Sequence, residues 1–225
     1  MKVCTDACLF GAWLADIIKG TTLPPVLSML DIGSGTGLLA LMIAQYSMAS
    51  IDAVEIDPYA SREATANFNL SPWSNRLEIF NISIQEFSKM PHRYNLIFSN
   101  PPFFNNNLKG PDEKRNLALH DGSLSLEELL IAADKLLLNE FYFALLLPFQ
   151  RTEYFESLLS KSSFKLIKKT NVRQTNRHPI FRSMYFLCKT NTTVEGEENE
   201  MIIKDGEQYS AQFQYLLNDY YLSLT

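Results

Sequence analysis

The chain has 225 residues, of which 46% are apolar, and its formal net charge is −5 at pH 7. This length allows a substantial buried core and favours one large α/β domain. The longest apolar runs are too short to span a membrane and no signal-peptide core follows the first residues, so we expect a cytoplasmic protein without a membrane partner. The acidic net charge argues against indiscriminate nucleic-acid binding.

Cysteine and histidine are rare in the chain and scattered along it. Cys4, Cys8 and Cys188 form no CxxC pattern, which predicts reduced thiols that pack as small apolar residues. The three histidines lie far apart, and no spacing of Cys, His and carboxylates matches a metal site. The sequence therefore predicts chemistry that needs no metal.

The first two thirds of the chain alternate between predicted strands and helices. Leu9, Trp13 and Ile17 lie four residues apart and form one apolar face of a helix over residues 5–19, which Thr5 or Asp6 would cap. The predicted elements that follow are, in order, strand 26–32, a glycine turn at 33–37, helix 38–45, strand 51–56, helix 58–69, strand 77–82, strand 95–99, helix 126–137, strand 141–147 and helix 152–160. Buried strands joined in this way form a doubly wound parallel sheet.

Two later strands interrupt this alternation. Residues 164–172 and 184–188 are predicted strands, and the polar loop between them has no helical pattern. Strands joined without a crossover helix pair antiparallel. We therefore expect an α/β fold with a doubly wound, mostly parallel, seven-stranded sheet and an antiparallel last strand.

The C-terminal part of the chain differs in composition. Residues 190–206 are acidic and polar, which predicts a mobile excursion, and residues 212–224 carry the apolar cluster of a helix that packs back. We expect a single domain over residues 1–225. Residues 1–25 would form an N-terminal helical cap, and residues 190–225 an acidic loop and a helix packed on the domain.

A glycine-rich turn after the first strand predicts a cofactor site. Gly33, Gly35 and Gly37 alternate, and this spacing is shorter than in dinucleotide folds, so it suits a ligand without phosphates. Glu55, at the end of the second strand, could accept both ribose hydroxyls, and Ile56 could cover an adenine face. A nucleoside cofactor without a diphosphate indicates S-adenosylmethionine. The alternative is a glycine turn that serves packing alone.

A stiff tip follows the fourth strand, with the sequence Ser99-Asn100-Pro101-Pro102-Phe103-Phe104. Consecutive prolines restrict its backbone. The amide oxygen of Asn100 and the carbonyls of Asn100 and Pro101 could accept the N–H bonds of an amino group on a planar ring, and Phe103 could stack against that ring. The alternative is a Pro-Pro turn with two buried phenylalanines.

Together these motifs resemble class-I S-adenosylmethionine-dependent methyltransferases that act on exocyclic amines. This broad resemblance rests on residues 30–37, Glu55 and residues 100–103. The narrower resemblance is to the bacterial tRNA1(Val) (adenine(37)-N6)-methyltransferase family, and it rests on residues 1–6, 9–13, 71–76 and 99–103. It runs collinearly from about Met1 to Leu187. It implies a Rossmann-like fold, S-adenosylmethionine as cofactor with S-adenosylhomocysteine as product, no metal, and tRNA as partner. We expect a monomer, with a weak dimer as the alternative.

The resemblance also implies roles for single residues. The catalytic residues would be Asn100, Pro101, Pro102 and Phe103. The cofactor-binding residues would be Thr5, Asp31, Gly33, Ser34, Gly35, Gly37, Glu55, Ile56, Ser83 and Asn100. The family commonly has an acidic residue at the position of Ser83, where it bonds the adenine amine of the cofactor. A serine hydroxyl accepts more weakly, and Asn81 could help.

A basic run predicts contact with RNA. Residues 161–194 contain eight Lys or Arg and no acid, whereas residues 195–207 contain six acids. The predicted RNA-binding residues are Lys109, Lys114 and Arg115 after the tip, and Lys168, Lys169, Arg173, Arg177 and Arg182 around the late hairpin. For each one, the alternative is a solvated surface charge. His120 and Asp121 could also face the site.

The sequence leaves other functions open. The same tip could serve an rRNA guanine-N2 methyltransferase or a protein-glutamine methyltransferase. A small-molecule methyltransferase would need an insertion that closes the pocket, and the sequence has none. A catalytically silent RNA-binding module is disfavoured because the glycine turn and Asn100 are both present.

Overall fold

The computed structural model describes residues 4–20, 26–101 and 124–222. Its strands are β1 (Ser28–Ile32), β2 (Ser50–Val54), β3 (Leu77–Phe80), β4 (Tyr94–Ser99), β5 (Leu137–Pro148), β6 (Phe164–Arg173), β7 (Ile180–Lys189), β8 (Glu197–Ile202), β9 (Lys204–Asp205) and β10 (Gln208–Tyr209). Its α-helices are α1 (Thr5–Gly20), α2 (Leu38–Ala44), α3 (Pro58–Leu70), α4 (Ile84–Phe87), α5 (Leu126–Leu136), α6 (Thr152–Leu159) and α7 (Ala211–Leu217).

Strands β1 to β8 form one sheet in the order β3-β2-β1-β4-β5-β7-β6-β8, and β9 pairs with β10 in a separate hairpin. The five strands from β3 to β5 run parallel to one another. Strand β7 is antiparallel to both of its neighbours, β5 and β6. The predicted doubly wound sheet with an antiparallel late strand is therefore confirmed.

The sequence predicted seven strands in this sheet, and this number was wrong by one. Within the described part of the chain the sheet has eight strands, because the acidic stretch contributes β8. This strand runs parallel to β6, with Glu197 beside Lys168 and Glu198 beside Lys169. Opposite charges on adjacent strands attract each other, and the buried side chains of Met201 and Ile203 anchor the segment in the core. The acidic stretch is therefore a sheet edge over residues 197–202 and not a mobile excursion.

Helices cover both faces of the sheet. On one face, α1, α2 and α7 pack into a core cluster that includes Leu9, Trp13, Ile43 and Phe213. On the other face, α4, α5 and α6 pack into a second cluster that includes Phe87 and Phe155. Within the described ranges, no helix has both the length and the apolarity that crossing a membrane requires.

Two strand ends differ from the sequence prediction in a way that shapes the site. Strands β2 and β3 end at Val54 and Phe80, two residues earlier than predicted. The first residues after them, Glu55 and Asn81, leave the sheet and carry polar side chains. Ser83 then begins a helix that was not predicted, because its hydroxyl accepts a hydrogen bond from the backbone N–H of Glu86 over 3.2 Å and caps α4.

Candidate active site

Four parallel strands end at one level of the sheet, and this brings the predicted site residues together. Ile32 pairs with both Val54 and Ser99, and Val54 pairs with Phe80. The residues that follow these strands, Gly33, Glu55, Asn81 and Asn100, therefore lie along one carboxyl edge. Ligands bind at this edge in open α/β sheets.

A buried hydrogen bond fixes the tip to the cofactor turn. The Ser99 hydroxyl donates to the carbonyl of Ile32 over 2.7 Å, and both residues are fully buried. Asn100 and Gly33 directly follow these two residues, so the tip and the turn are neighbours. Asn100 is half-buried, and Pro101 is buried.

The glycine turn is closed by backbone hydrogen bonds. The N–H groups of Gly33 and Ser34 both donate to the carbonyl of Val54, over 2.9 and 3.2 Å. Gly37 has a φ of +81°, and a Cβ at this position would lie 2.4 Å from Cε1 of Phe68. Gly33 also has a positive φ, but a Cβ there would meet nothing within 4 Å. Packing therefore explains Gly37, whereas Gly33 faces open space that a ligand could fill.

The carboxylate of Glu55 is oriented by two backbone donors. Its Oε2 atom accepts from the N–H of Gly35 over 2.8 Å, and its Oε1 atom accepts from the N–H of Asp57 over 2.9 Å. The side-chain amide of Asn81 donates to the carbonyls of Glu55 and Ile56 over 2.8 and 3.1 Å. Asn81 thus holds the backbone at Glu55, the residue that is predicted to bind the ribose hydroxyls. The sequence prediction missed this role of Asn81.

An open cleft with about 540 Å³ of empty space, partly continuous with solvent, lies at this edge. Its apolar walls are formed by Ile32, Val54, Ile56, Ile82, Ile84 and Leu124. Polar groups are supplied by Glu55, Ser83 and Gln85, and Gly33 and Pro101 complete the lining. Apolar walls with a few polar groups suit a planar base attached to a sugar.

Ser83 and Gln85 line the cleft, and both already have protein partners. The Ser83 hydroxyl oxygen accepts the N–H of Glu86, as described above, which leaves its own proton to donate. The side-chain amide of Gln85 donates to Oε1 of Glu128 over 3.2 Å, and this bond connects the cleft to α5.

Asp31 is fully buried at the end of β1, next to the glycine turn. Neither of its carboxylate oxygens, nor the hydroxyl of Ser34, has a hydrogen-bond partner among the described residues. Burial raises the pKa of Asp31 to about 8, the nearby backbone N–H of Ala40 opposes this shift, and the charge of Glu55 adds to it. Buried polar groups without partners are uncommon, and a ligand that carries an ammonium group would satisfy this carboxylate.

Several predicted site residues lie outside the described residues. They are Pro102, Phe103, Lys109, Lys114, Arg115, His120 and Asp121. Thr5 is described but is not among the residues that line the cleft, and its side chain hydrogen-bonds Tyr221. The helix begins at Thr5 itself, so neither predicted cap precedes it, and the Asp6 carboxylate accepts from Nε of Arg182 over 2.8 Å.

Four of the five predicted RNA-binding cations that the structure describes are engaged in ion pairs. Lys168 pairs with Glu197, Lys169 pairs with Glu156 and Glu198, Arg173 pairs with Glu200, and Arg182 pairs with Asp6. Burial would lower the pKa of Lys169, but its hydrogen bonds to the two glutamates outweigh this and raise the pKa. Arg177 is exposed and has no ion pair within the ranges that the structure covers. The acidic residues in 195–207 were the feature of the sequence from which this pairing of the cations could have been predicted.

No group of three or more His, Cys, Asp or Glu side chains that could hold a metal ion occurs among the described residues. The three cysteines are free thiols, and burial raises the pKa of both Cys8 and Cys188. The polar chemistry of the described site is therefore carried by carboxylates, amides, hydroxyls and backbone groups.

The sequence is similar to known proteins along nearly its whole length. A family model described as "Methyltransferase small domain" matches residues 14–118. The chain is 39% identical to the tRNA1(Val) (adenine(37)-N6)-methyltransferase of Dyadobacter fermentans, over 99% of this chain and 91% of that protein. It is 37% identical to the protein of the same name from Parabacteroides distasonis, over 100% of this chain and 92% of that protein.

The fold is also similar to solved structures. A protein from Agrobacterium tumefaciens, described as a predicted O-methyltransferase, superposes with a TM-score of 0.69 over 94% of this chain and 95% of that chain, at 12% identity. At this identity the likeness concerns the fold alone. It confirms the expected methyltransferase architecture.

Proposed function

The chain belongs to the tRNA1(Val) (adenine(37)-N6)-methyltransferase family, and we propose that it methylates the exocyclic N6 amine of adenine 37 in the anticodon loop of tRNA1(Val). The observation that carries this proposal is the position of Asn100 and Pro101 beside the cleft that Gly33 and Glu55 line. A recognition tip for an amine and a nucleoside cleft are neighbours, as transfer between two ligands requires.

The cofactor of this reaction is S-adenosylmethionine, which supplies an electrophilic methyl group and leaves as S-adenosylhomocysteine. The residues that would hold it are Asp31, Gly33, Ser34, Gly35, Glu55, Ile56, Ser83 and Asn100. The oriented carboxylate of Glu55 suits the ribose hydroxyls, and the apolar walls suit the adenine. The unpartnered carboxylate of Asp31 suits the ammonium of the methionine part. Gly37 supports this site indirectly, because the absence of a Cβ lets the ring of Phe68 pack against it.

Catalysis rests on the alignment of the target amine. An adenine amine is a poor nucleophile because its lone pair is delocalised into the ring. The Asn100 amide oxygen and the Pro101 carbonyl accept its two N–H bonds, which draws the nitrogen toward tetrahedral geometry and directs its lone pair. Alignment of this kind can supply roughly 7 to 11 kcal/mol of the barrier. Oxygen acceptors also stabilise the positive charge that develops on the nitrogen.

No strong base is needed in this mechanism. The methylated nitrogen is cationic and acidic, so it can lose its proton to water. Phe103 of the tip would stack on the target base. That base must leave its neighbours to enter the site, and this costs little for an unpaired loop base. The reaction therefore needs neither a metal nor a charged catalytic side chain.

Binding of the tRNA would use the cations that follow the tip in the sequence and cations of the late hairpin. The proposed contacts are Lys109, Lys114 and Arg115 after the tip, with Arg177 and Arg182 at the late hairpin. For Lys168, Lys169 and Arg173 a role in RNA binding stays a prediction, since it would require exchange of the glutamate partners on β8. We propose that the protein acts in the cytoplasm as a single methyltransferase domain and as a monomer.

The test of this proposal is the variant Asn100→Ala. It should reduce methyl transfer to tRNA to the background rate, while calorimetry still detects S-adenosylhomocysteine binding, weakened at most by the loss of one of its proposed contacts. Turnover near the wild-type rate would contradict the role of Asn100. Transfer by the wild type to a guanine of rRNA or to a protein glutamine, with none to tRNA, would favour the alternative methyltransferases.

A further inference from the structure

The carboxyl edge of the sheet continues past the active site onto β5 and β7. Leu145 of β5 pairs with Ser99, so it lies level with the end of β4. Strand β5 then extends three more residues to Pro148, a rise of about 10 Å. Pro148 pairs with Arg182 of β7. Residues after Pro148 and around Arg182 therefore stand above the same edge as Asn100, one or two strands away.

Phe149 is an exposed aromatic residue at this position. Its relative exposure is 36%, although it directly follows a buried strand. Its backbone is fixed, because its carbonyl accepts both the hydroxyl of Thr152, over 2.7 Å, and the backbone N–H of Thr152. The chain thus holds a large apolar ring partly in solvent beside the proposed substrate site.

A second aromatic ring lies on the neighbouring strand. Val172 pairs with Arg182 but Arg173 pairs with Ile180, so Phe181 is the extra residue of a β-bulge. Bulges next to active sites often redirect a side chain. Phe181 is half-buried, and the guanidinium of Arg182 lies 5.6 Å from its ring centroid.

Arg182 is held in place and still has donors to offer. Its Nε donates to Asp6 and its Nη1 donates to the carbonyl of Phe181 over 3.1 Å, which uses two of its five N–H groups. Its side chain remains 30% exposed. Arg177 lies in the turn between β6 and β7, which projects from the same edge, and it is exposed.

We propose that Phe149, Phe181, Arg177 and Arg182 form a platform for single-stranded RNA, on which nucleotides next to the target adenine stack and bond. This edge platform rests on the proposed function and deepens it. Aromatic rings combined with arginines bind unpaired nucleotides, because every base has a flat face and the guanidinium bonds phosphate. The ion-paired stripe between β6 and β8 is charge-compensated, which leaves the edge platform as the better contact with RNA.

The test compares Phe149→Ala with wild type in binding a fluorescein-labelled anticodon stem-loop of tRNA1(Val), followed by fluorescence anisotropy. Loss of one stacked base should weaken binding about tenfold. The KM for tRNA should rise in proportion, with little change in kcat or in S-adenosylhomocysteine affinity. Phe149→Trp should restore binding, and its fluorescence should be quenched when RNA is added.

Tyr215→Ala is the matched control. Tyr215 is 71% exposed, and its hydroxyl donates to Asp16, which lies ten residues, or about 15 Å, along α1 from Asp6, the partner of Arg182. It should bind RNA as the wild type does. Equal binding by Phe149→Ala and wild type, or equal weakening by Tyr215→Ala, would overturn the edge platform.

A second variant covers the case in which Phe149→Ala does not fold. Arg177→Ala removes an exposed side chain, so the fold should be retained, and it should weaken RNA binding and reduce the salt slope by about one. An unchanged affinity and salt slope would count against the edge platform. If the wild type binds S-adenosylhomocysteine but neither binds nor methylates tRNA, the proposed function itself fails. Normal methylation by both variants refutes only the platform.

Discussion

The carboxylate of Glu55 accepts a hydrogen bond from the backbone N–H of Gly35 over 2.8 Å, so the acid after β2 and the glycine turn after β1 are fixed to each other. The second carboxylate oxygen accepts from the N–H of Asp57. Two features that lie twenty residues apart in the sequence therefore form one unit in the cofactor cleft. A substitution in either part should weaken cofactor binding and also destabilise the backbone of the glycine turn.

Replacing Glu55 tests this unit. Glu55→Ala removes two charge-assisted acceptors, so we expect the free energy of unfolding to fall by about 1 to 3 kcal/mol. We also expect S-adenosylhomocysteine to bind at least about tenfold more weakly by calorimetry, because a lost bond to a charged group costs that much or more. Glu63→Ala, an exposed substitution on α3, is the control and should change neither quantity. Wild-type affinity in Glu55→Ala would contradict the ribose role.

Asp31 predicts a dependence of stability on pH. Burial raises its pKa to about 8 from an unfolded value of 3.8, so the folded state holds a proton that the unfolded state releases. Between about pH 4 and pH 8 the contribution of Asp31 to stability should therefore fall as the pH rises, by up to about 1.4 kcal/mol per pH unit.

The variant Asp31→Asn isolates this contribution, since it is neutral and of similar shape. The difference in unfolding free energy between variant and wild type, from urea titrations, should grow in favour of the variant from pH 5 to pH 8. A difference that stays constant over this range would show that Asp31 does not titrate as described.

Gly37 and Phe68 give a prediction about packing. Gly37→Ala combines a left-handed backbone with a Cβ placed 2.4 Å from the Phe68 ring, so it should destabilise the protein by about 2 kcal/mol or more. Gly206→Ala is the matched control, because Gly206 also has a positive φ but a Cβ there would meet nothing within 4 Å. It should cost only about 1 to 2 kcal/mol, the backbone part alone. Equal losses in thermal unfolding would exclude the clash.

The ion pairs of β8 predict an effect on RNA binding. Changing Glu197, Glu198 and Glu200 together to Gln removes the glutamate partners of Lys168 and Arg173, and one of the two partners of Lys169, which keeps Glu156. The less compensated cations should then bind RNA more tightly at low salt, with a steeper salt dependence. Anisotropy titrations at two salt concentrations measure both. If the affinity and the salt slope match the wild type, compensation by β8 is not what limits RNA binding there.

Much of the fold and of the cofactor site could be predicted from the sequence, because local patterns specify them. The Gly33 turn, Glu55 and Asn100 each directly follow a buried strand, and parallel strands place such residues at one edge. The strand β8 could not be predicted, because its glutamates have no apolar alternation of their own. They become a strand only beside the lysines of β6, a contact between distant parts of the chain.

Side-chain contacts across long sequence separations also escaped prediction. Thr5 looks like a cofactor residue by resemblance, yet its hydrogen bond goes to Tyr221, which is 216 positions away. The sequence predicts for Asn81 only a contact with adenine, but its amide donates to the backbone carbonyls of Glu55 and Ile56. Such roles depend on which groups meet in three dimensions, and the spacing of residues does not specify this.

The most direct test of the central claim is to locate the transferred methyl group. The protein is incubated with labelled S-adenosylmethionine and an unmodified tRNA1(Val) transcript, and the RNA is digested to nucleosides and mapped by mass spectrometry. We predict N6-methyladenosine at position 37 only, and none in a transcript with guanine at that position. Label in another nucleoside, equal labelling of the guanine-37 transcript, or no transfer by protein that binds the cofactor would contradict the account.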